Sequence, residues 1–140
     1  LAAMSSYRKC GVRADACRVG PHLMNLFQPN FRTDVCNTDE HGFRYTNDGS
    51  KVMGYHAIEA TSGPKGILCG GSTAFGTGST SDATSIATFL NQDSEVTWFN
   101  FAAMGHTSTQ ELLRFQMHRP EVDRVMLFSG TNNLMMLYGC

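Results

Sequence analysis

The sequence predicts an α/β fold, a doubly wound parallel sheet in three α/β/α layers. Three observations carry that expectation. Apolar runs at Gly66–Cys69 and Glu95–Met104 read as buried strands and Val122–Gly130 as a third strand, each meeting a glycine where it ends. The segments between them, Asp82–Gln92 and His106–Arg119, carry helical patterning. The resulting β-α-β-α-β order has short connections, which suits parallel strands joined by right-handed crossovers.

Composition sets the outer bounds. A chain of 140 residues with 41% hydrophobic and 16% charged residues suits one domain with a real core. A formal net charge of -1 gives no reason to expect a nucleic-acid surface or a polybasic membrane contact. No apolar stretch approaches a membrane span, and no signal-peptide pattern opens the chain. The first residue is Leu1 rather than Met, which leads to the expectation of an upstream segment.

Residues 1–61 lack a long periodic run and read as a loop-rich N-terminal extension containing one short helix. A hairpin is expected within Gly42–Tyr55, where Asn47-Asp48-Gly49 supplies turn chemistry between two β-prone runs. Asp39–Arg44 has the look of a binding loop, but a turn whose Phe43 plugs the core is preferred. From residue 62 onward the pattern is regular. A glycine- and hydroxyl-rich loop follows the first strand, and Ser81 or Asp82 is expected to cap the next helix. Thr107 and Gln110 form a capping-box pattern ahead of Leu112, Leu113, Phe115 and Met117, taken as the apolar face of the second helix. Thr131 onward reads as the first turns of a third.

In a parallel sheet of this kind, Ser72, Gly105 and Asn132 all fall just past strand carboxyl ends, where open α/β sheets place their chemistry. Ser72 is the candidate nucleophile. The amides of Ser72 and Gly105 and the carboxamide of Asn132 make a three-donor oxyanion hole for a tetrahedral intermediate. Each residue also has an ordinary structural use: Ser72 in a turn, Asn132 as a helix cap, Gly105 as a turn glycine. Their joint placement favours the catalytic reading.

The stretches GGSTAFG at Gly70–Gly76, the glycine in FNFAAMGHTS at Gly105, and GTNN at Gly130–Asn133 resemble blocks one to three of the SGNH (GDSL-type) hydrolase superfamily. The first block is similar to the branch reading GGST in place of GDS. The resemblance covers more than half of the chain. It implies a flavodoxin-like SGNH architecture, with residues 62–140 as the N-terminal part of the hydrolase domain. It also implies esterase, deacetylase or acyltransferase chemistry on small-molecule or glycan acyl esters, with Ser72 as nucleophile, no metal and no cofactor. Two departures stand out. Gly71 replaces the aspartate of the usual first block, and no Asp-x-x-His block follows Asn132. The chain is therefore expected to be truncated at its C-terminus, with the general-base histidine on a missing segment or a second polypeptide.

None of the local histidines is chosen as that base. His106 follows Gly105 and is expected to be a solvated residue at a helix start. His118 falls on the opposite edge, and His22, His41 and His56 are not placed. A non-catalytic module binding a carbohydrate or small anion in the same crevice is the principal alternative, and a flavodoxin-like nucleotide binder is a third. A GxSxG elbow, a GxGxxG loop, a P-loop and HExxH are all incomplete or absent. The five cysteines, Cys10, Cys17, Cys36, Cys69 and Cys140, match no metal spacing. Secretion would permit a Cys10–Cys17 or Cys17–Cys36 disulfide, but free thiols in a reducing, cytoplasmic compartment are the leaning.

Overall fold

Residues 16–139 are described by the computed structural model. A three-stranded parallel sheet sits at the centre, as the sequence predicts. It contains β5 (Lys65–Gly70), flanked on one side by β6 (Thr97–Asn100) and on the other by β7 (Arg124–Phe128). The register pairs Ile67 with Phe99 and with Val125, so all three strands end at one edge. Ahead of the sheet come two small antiparallel hairpins: β1 (Cys17–Gly20) with β2 (Met24–Phe27), and β3 (Thr46–Asn47) with β4 (Val52–Met53). The helices are α1 (Ala57–Ala60), α2 (Ser72–Phe75), α3 (Ile86–Gln92), α4 (Ser108–His118) and α5 (Thr131–Tyr138).

Alternation along β5 divides the core in two. Leu68 packs with Ala74, Phe75, Ala87 and Ala102, joined by Ala16, Phe27, Val35 and Cys36. Ile67 and Cys69 belong to a second cluster with Phe99, Phe101, Phe43, Met53 and Ile58, against which Phe115 packs. A strand with a period of two and both faces apolar requires cover on both sides. Residues 16–61 supply much of that cover, so they share their core with the sheet. Phe43 plugs the second cluster, as preferred for the Asp39–Arg44 turn. Asp39 holds that turn by accepting from the backbone amides of His41 and Phe43, and from Tyr55 with its other oxygen.

Several local expectations are corrected. The helix expected over Asp82–Gln92 is split. Asp82–Thr84 is a single 3-10 turn with Ser81 before it, and the α-helix proper starts at Ile86 on Ser85, whose hydroxyl accepts from the Thr88 amide. Two serines four residues apart offer equivalent caps, and the one facing the core won. The apolar face assigned to α4 is also revised: Leu112 and Met117 are exposed, whereas Glu111 and Arg114 are buried. His106 is buried, not solvated, because the β1–β2 hairpin covers it. The turn at Asn47–Gly49 forms as expected. Ser50 and Lys51 donate to the Asp48 carboxylate and, led by the Ser50 hydroxyl, hold it down at about 2. Cys36 and Cys69 are buried thiols and Cys17 is a half-buried one, with no Cys17–Cys36 bond. Cys10 and Cys140 lie outside the described residues, as does the first part of the extension.

Candidate active site

At the carboxyl edge of the sheet, Gly71, Ser72, Thr73, His106, Phe128, Ser129, Gly130, Thr131 and Asn132 enclose a cavity of about 80 Å³. Ser72 opens α2 directly after β5. The chain turns there through Gly70, at φ 153°, where a Cβ would lie 2.3 Å from the Phe128 carbonyl oxygen. No other residue fits that approach between strands. Ser72 and Asn132, predicted from distant stretches of sequence, thus line one cavity. Gly105 does not line it. Its neighbour His106 does, while Gly105, at φ 72°, backs onto the Asn25 side chain of the first hairpin.

Asn132 is held by its surroundings. Its Nδ2 donates to the His106 carbonyl oxygen at 2.7 Å. A carboxamide nitrogen carries two protons, so one N–H remains for a ligand. This geometry also accounts for Gly71. A Cβ at that position would stand 2.5 Å from Asn132 Nδ2, so a side chain there would push the carboxamide from its place. Asn133, the next residue, ties α5 to α4: its Oδ1 accepts from the Ser108 amide and its Nδ2 donates to the Ser108 hydroxyl.

His106 Nε2 lies 2.8 Å from the Asn25 carbonyl oxygen. A carbonyl only accepts, so Nε2 carries a proton, and a pKa held well below 7 leaves the imidazole neutral at pH 7. Its Nδ1 is buried with no hydrogen-bond partner. Burial, with the positive charge of Arg114 adding to it, pulls the His106 pKa down to about 4. Among the described walls of the cavity it is the one titratable side chain of ordinary range. The other wall residue with a charged partner is Ser129, whose Oγ donates to Glu111 Oε1 at 2.7 Å.

Two buried arginines brace the loops that carry these groups. Arg44 Nη1 donates to the carbonyl oxygens of Phe75 and Gly76 at the end of α2, and its Nε meets Asp82 Oδ1 at 2.8 Å. Arg114 Nη1 donates to the carbonyl oxygen of Ala102 at 2.9 Å, and its guanidinium lies 3.9 Å from the centre of the Phe43 ring. Sequence reasoning missed both, along with Glu111 and Ser129. One signal was available: Arg44 sits inside Gly42-Phe43-Arg44-Tyr45, a run otherwise destined for the core.

The remaining histidines lie elsewhere. His41, His56 and His118 line a second cavity with Lys65, at the amino end of β5 and so opposite Ser72. Burial, then Arg114 and His41, depress His118 to about 4. Among the described residues no group of three or more His, Cys, Asp or Glu side chains is arranged to hold a metal ion. No described helix is long and apolar enough to cross a membrane. No protein-family model matches the chain, and no curated protein matches it.

Proposed function

We propose that this chain carries the nucleophile and oxyanion hole of an SGNH-type serine esterase, deacetylase or acyltransferase acting on an O-acyl ester. The observation that carries the proposal is the convergence of Ser72 and Asn132 on one cavity, with the carboxamide fixed by the His106 carbonyl and admitted by Gly71. In this reading Ser72 Oγ attacks the ester carbonyl carbon and the alcohol departs with a proton. The remaining Asn132 N–H and the amide of Ser72 stabilise the oxyanion, while Gly105, which lies outside the cavity, is not one of the donors. His106, held near 4 and bonded to Asn25, is a poor proton acceptor at neutral pH. In this reading the general base is a histidine outside this chain, as the resemblance to the Asp-x-x-His block implies. The three-layer, doubly wound, flavodoxin-like arrangement is part of the same proposal.

Turnover of a small acetyl ester, with the base-bearing segment or polypeptide present, tests it. Ser72→Ala should remove turnover, and Gly71→Ala should lower it by roughly 10²-fold, the scale of losing one oxyanion donor, while leaving the fold intact by circular dichroism. Unchanged turnover in Ser72→Ala would sink the proposal. A second reading, a binding module for a glycan or small anion, is favoured by one observation: the cavity's own histidine is depressed to about 4. It predicts ligand-induced shifts without turnover.

A further inference from the structure

The cavity that Ser72 and Asn132 line is also lined by Ser129, one residue beyond β7. The Ser129 hydroxyl donates its proton to Glu111 Oε1 at 2.7 Å. A serine hydroxyl has one proton and two lone pairs, so once that proton is engaged its oxygen can only accept.

Glu111 is well placed to enforce this. It projects from α4, is 6% exposed, and lies with Ser129 along an apolar channel lined by Cys69, Leu112, Phe115, Val125 and Leu127. Little solvent reaches such a carboxylate, and a hydroxyl that solvates it is held by a charge-assisted bond. Burial raises the Glu111 pKa, and the bond from Ser129 opposes that rise. Neither residue is needed to build the oxyanion hole, so the pair is free to serve selection.

We propose that Ser129, oriented by Glu111, is a specificity-determining acceptor of the Ser72 cavity, selecting acyl esters that carry a hydroxyl or N–H donor close to the carbonyl. This rests on reading the cavity as an acyl-ester site. Ser129 touches the ligand; Glu111 is a positioning residue that acts through it.

Two matched pairs of esters differ by a hydroxyl against a methyl: ethylene glycol monoacetate with propyl acetate, and ethyl glycolate with ethyl propionate. Their affinities are measured by titration of backbone NMR shifts at pH 8 in Ser72→Ala protein, where turnover does not interfere. In at least one pair the hydroxyl ester should bind about three- to tenfold more tightly, the scale of one net hydrogen bond. Adding Ser129→Ala should bring the two within about twofold, and Ser129→Thr, which keeps the hydroxyl, should restore the preference. Glu111→Ala frees the Ser129 proton and should shrink it. A merely structural role would weaken both members of a pair alike.

Equal affinities in both pairs, a preference that survives Ser129→Ala, or no saturable shift at cavity residues with any of the four esters would overturn the inference. Turnover of the same esters by unsubstituted protein is scored separately. Preference without turnover keeps the acceptor assignment and removes the hydrolase reading. Turnover without preference does the reverse.

Discussion

The two flanks of the central sheet have similar strand chemistry and opposite surroundings. On the β6 side, Trp98, Phe99 and Asn100 are buried, and the layer is sewn together by polar side chains. Asn91 Oδ1 accepts from the Trp98 amide, its Nδ2 donates to the Trp98 carbonyl, and the Thr46 hydroxyl donates to that same carbonyl. On the β7 side, every residue of Arg124–Phe128 is exposed and α5 buries none of its eight residues. Leu127 is 69% exposed and Leu137 77%. An apolar run is therefore a statement about what a strand can bury, and its neighbours decide whether it does. The candidate site straddles the boundary: Ser72 and His106 come from the packed side, and Ser129–Asn132 from the exposed one.

The largest expected effect would break the packed side. Arg44→Ala removes the Nε bond to Asp82 and the guanidinium's bonds to the buried carbonyls of Phe75, Gly76 and Val35. Losing one partner of a buried ion pair costs about 3–5 kcal/mol, read as a lowered urea midpoint. A loss under about 1 kcal/mol would show that this network is ornamental to the fold.

A matched pair of truncations sharpens the comparison next. Leu68→Ala on β5, fully buried, should cost about 2–5 kcal/mol. Leu127→Ala on β7 should stay within about 0.5 kcal/mol, as at other exposed positions. Equal costs would mean that the β7 flank is covered in solution.

The smallest expected effect is a pH dependence. His106 is depressed to about 4 from 6.5, so between those values the unfolded chain binds more protons than the folded one. Stability is then full above 6.5 and declines as pH falls toward 4, by roughly 3 kcal/mol at most. His118 acts in the same direction. Thermal unfolding of His106→Gln should decline less over that window than the unsubstituted protein. Parallel curves would mean that His106 is not the buried neutral imidazole described above.

What the sequence disclosed follows from where its physical signals are strong. The three strands of the sheet were legible as apolar runs closed by Gly70, Gly105 and Gly130, and α4 by Thr107 with Gln110, whose side-chain oxygen accepts from the Thr107 amide at 2.9 Å. Ser72 and Asn132 were legible because parallel strands must end together. The first hairpin was not, because its turn holds His22 at φ 64° and its second strand opens on Met24 at φ 55°, positions where glycine or asparagine is expected. Arg44, Glu111 and Arg114 were passed over for one reason. Charge reads as solvent exposure until partners from distant stretches, such as Phe75, Ser129 and Phe43, are known. His106 failed in the same way, its cover coming from Asn25.

The central claim is that Ser72 is an activated nucleophile. It is tested most directly by intact mass of the purified protein before and after a fluorophosphonate probe, followed by peptide mapping. The untreated spectrum also reports any polypeptide that copurifies. One adduct on Ser72, absent from Ser72→Ala, is the predicted result. Unmodified protein after prolonged exposure to excess probe, or an adduct that persists in Ser72→Ala, would contradict it.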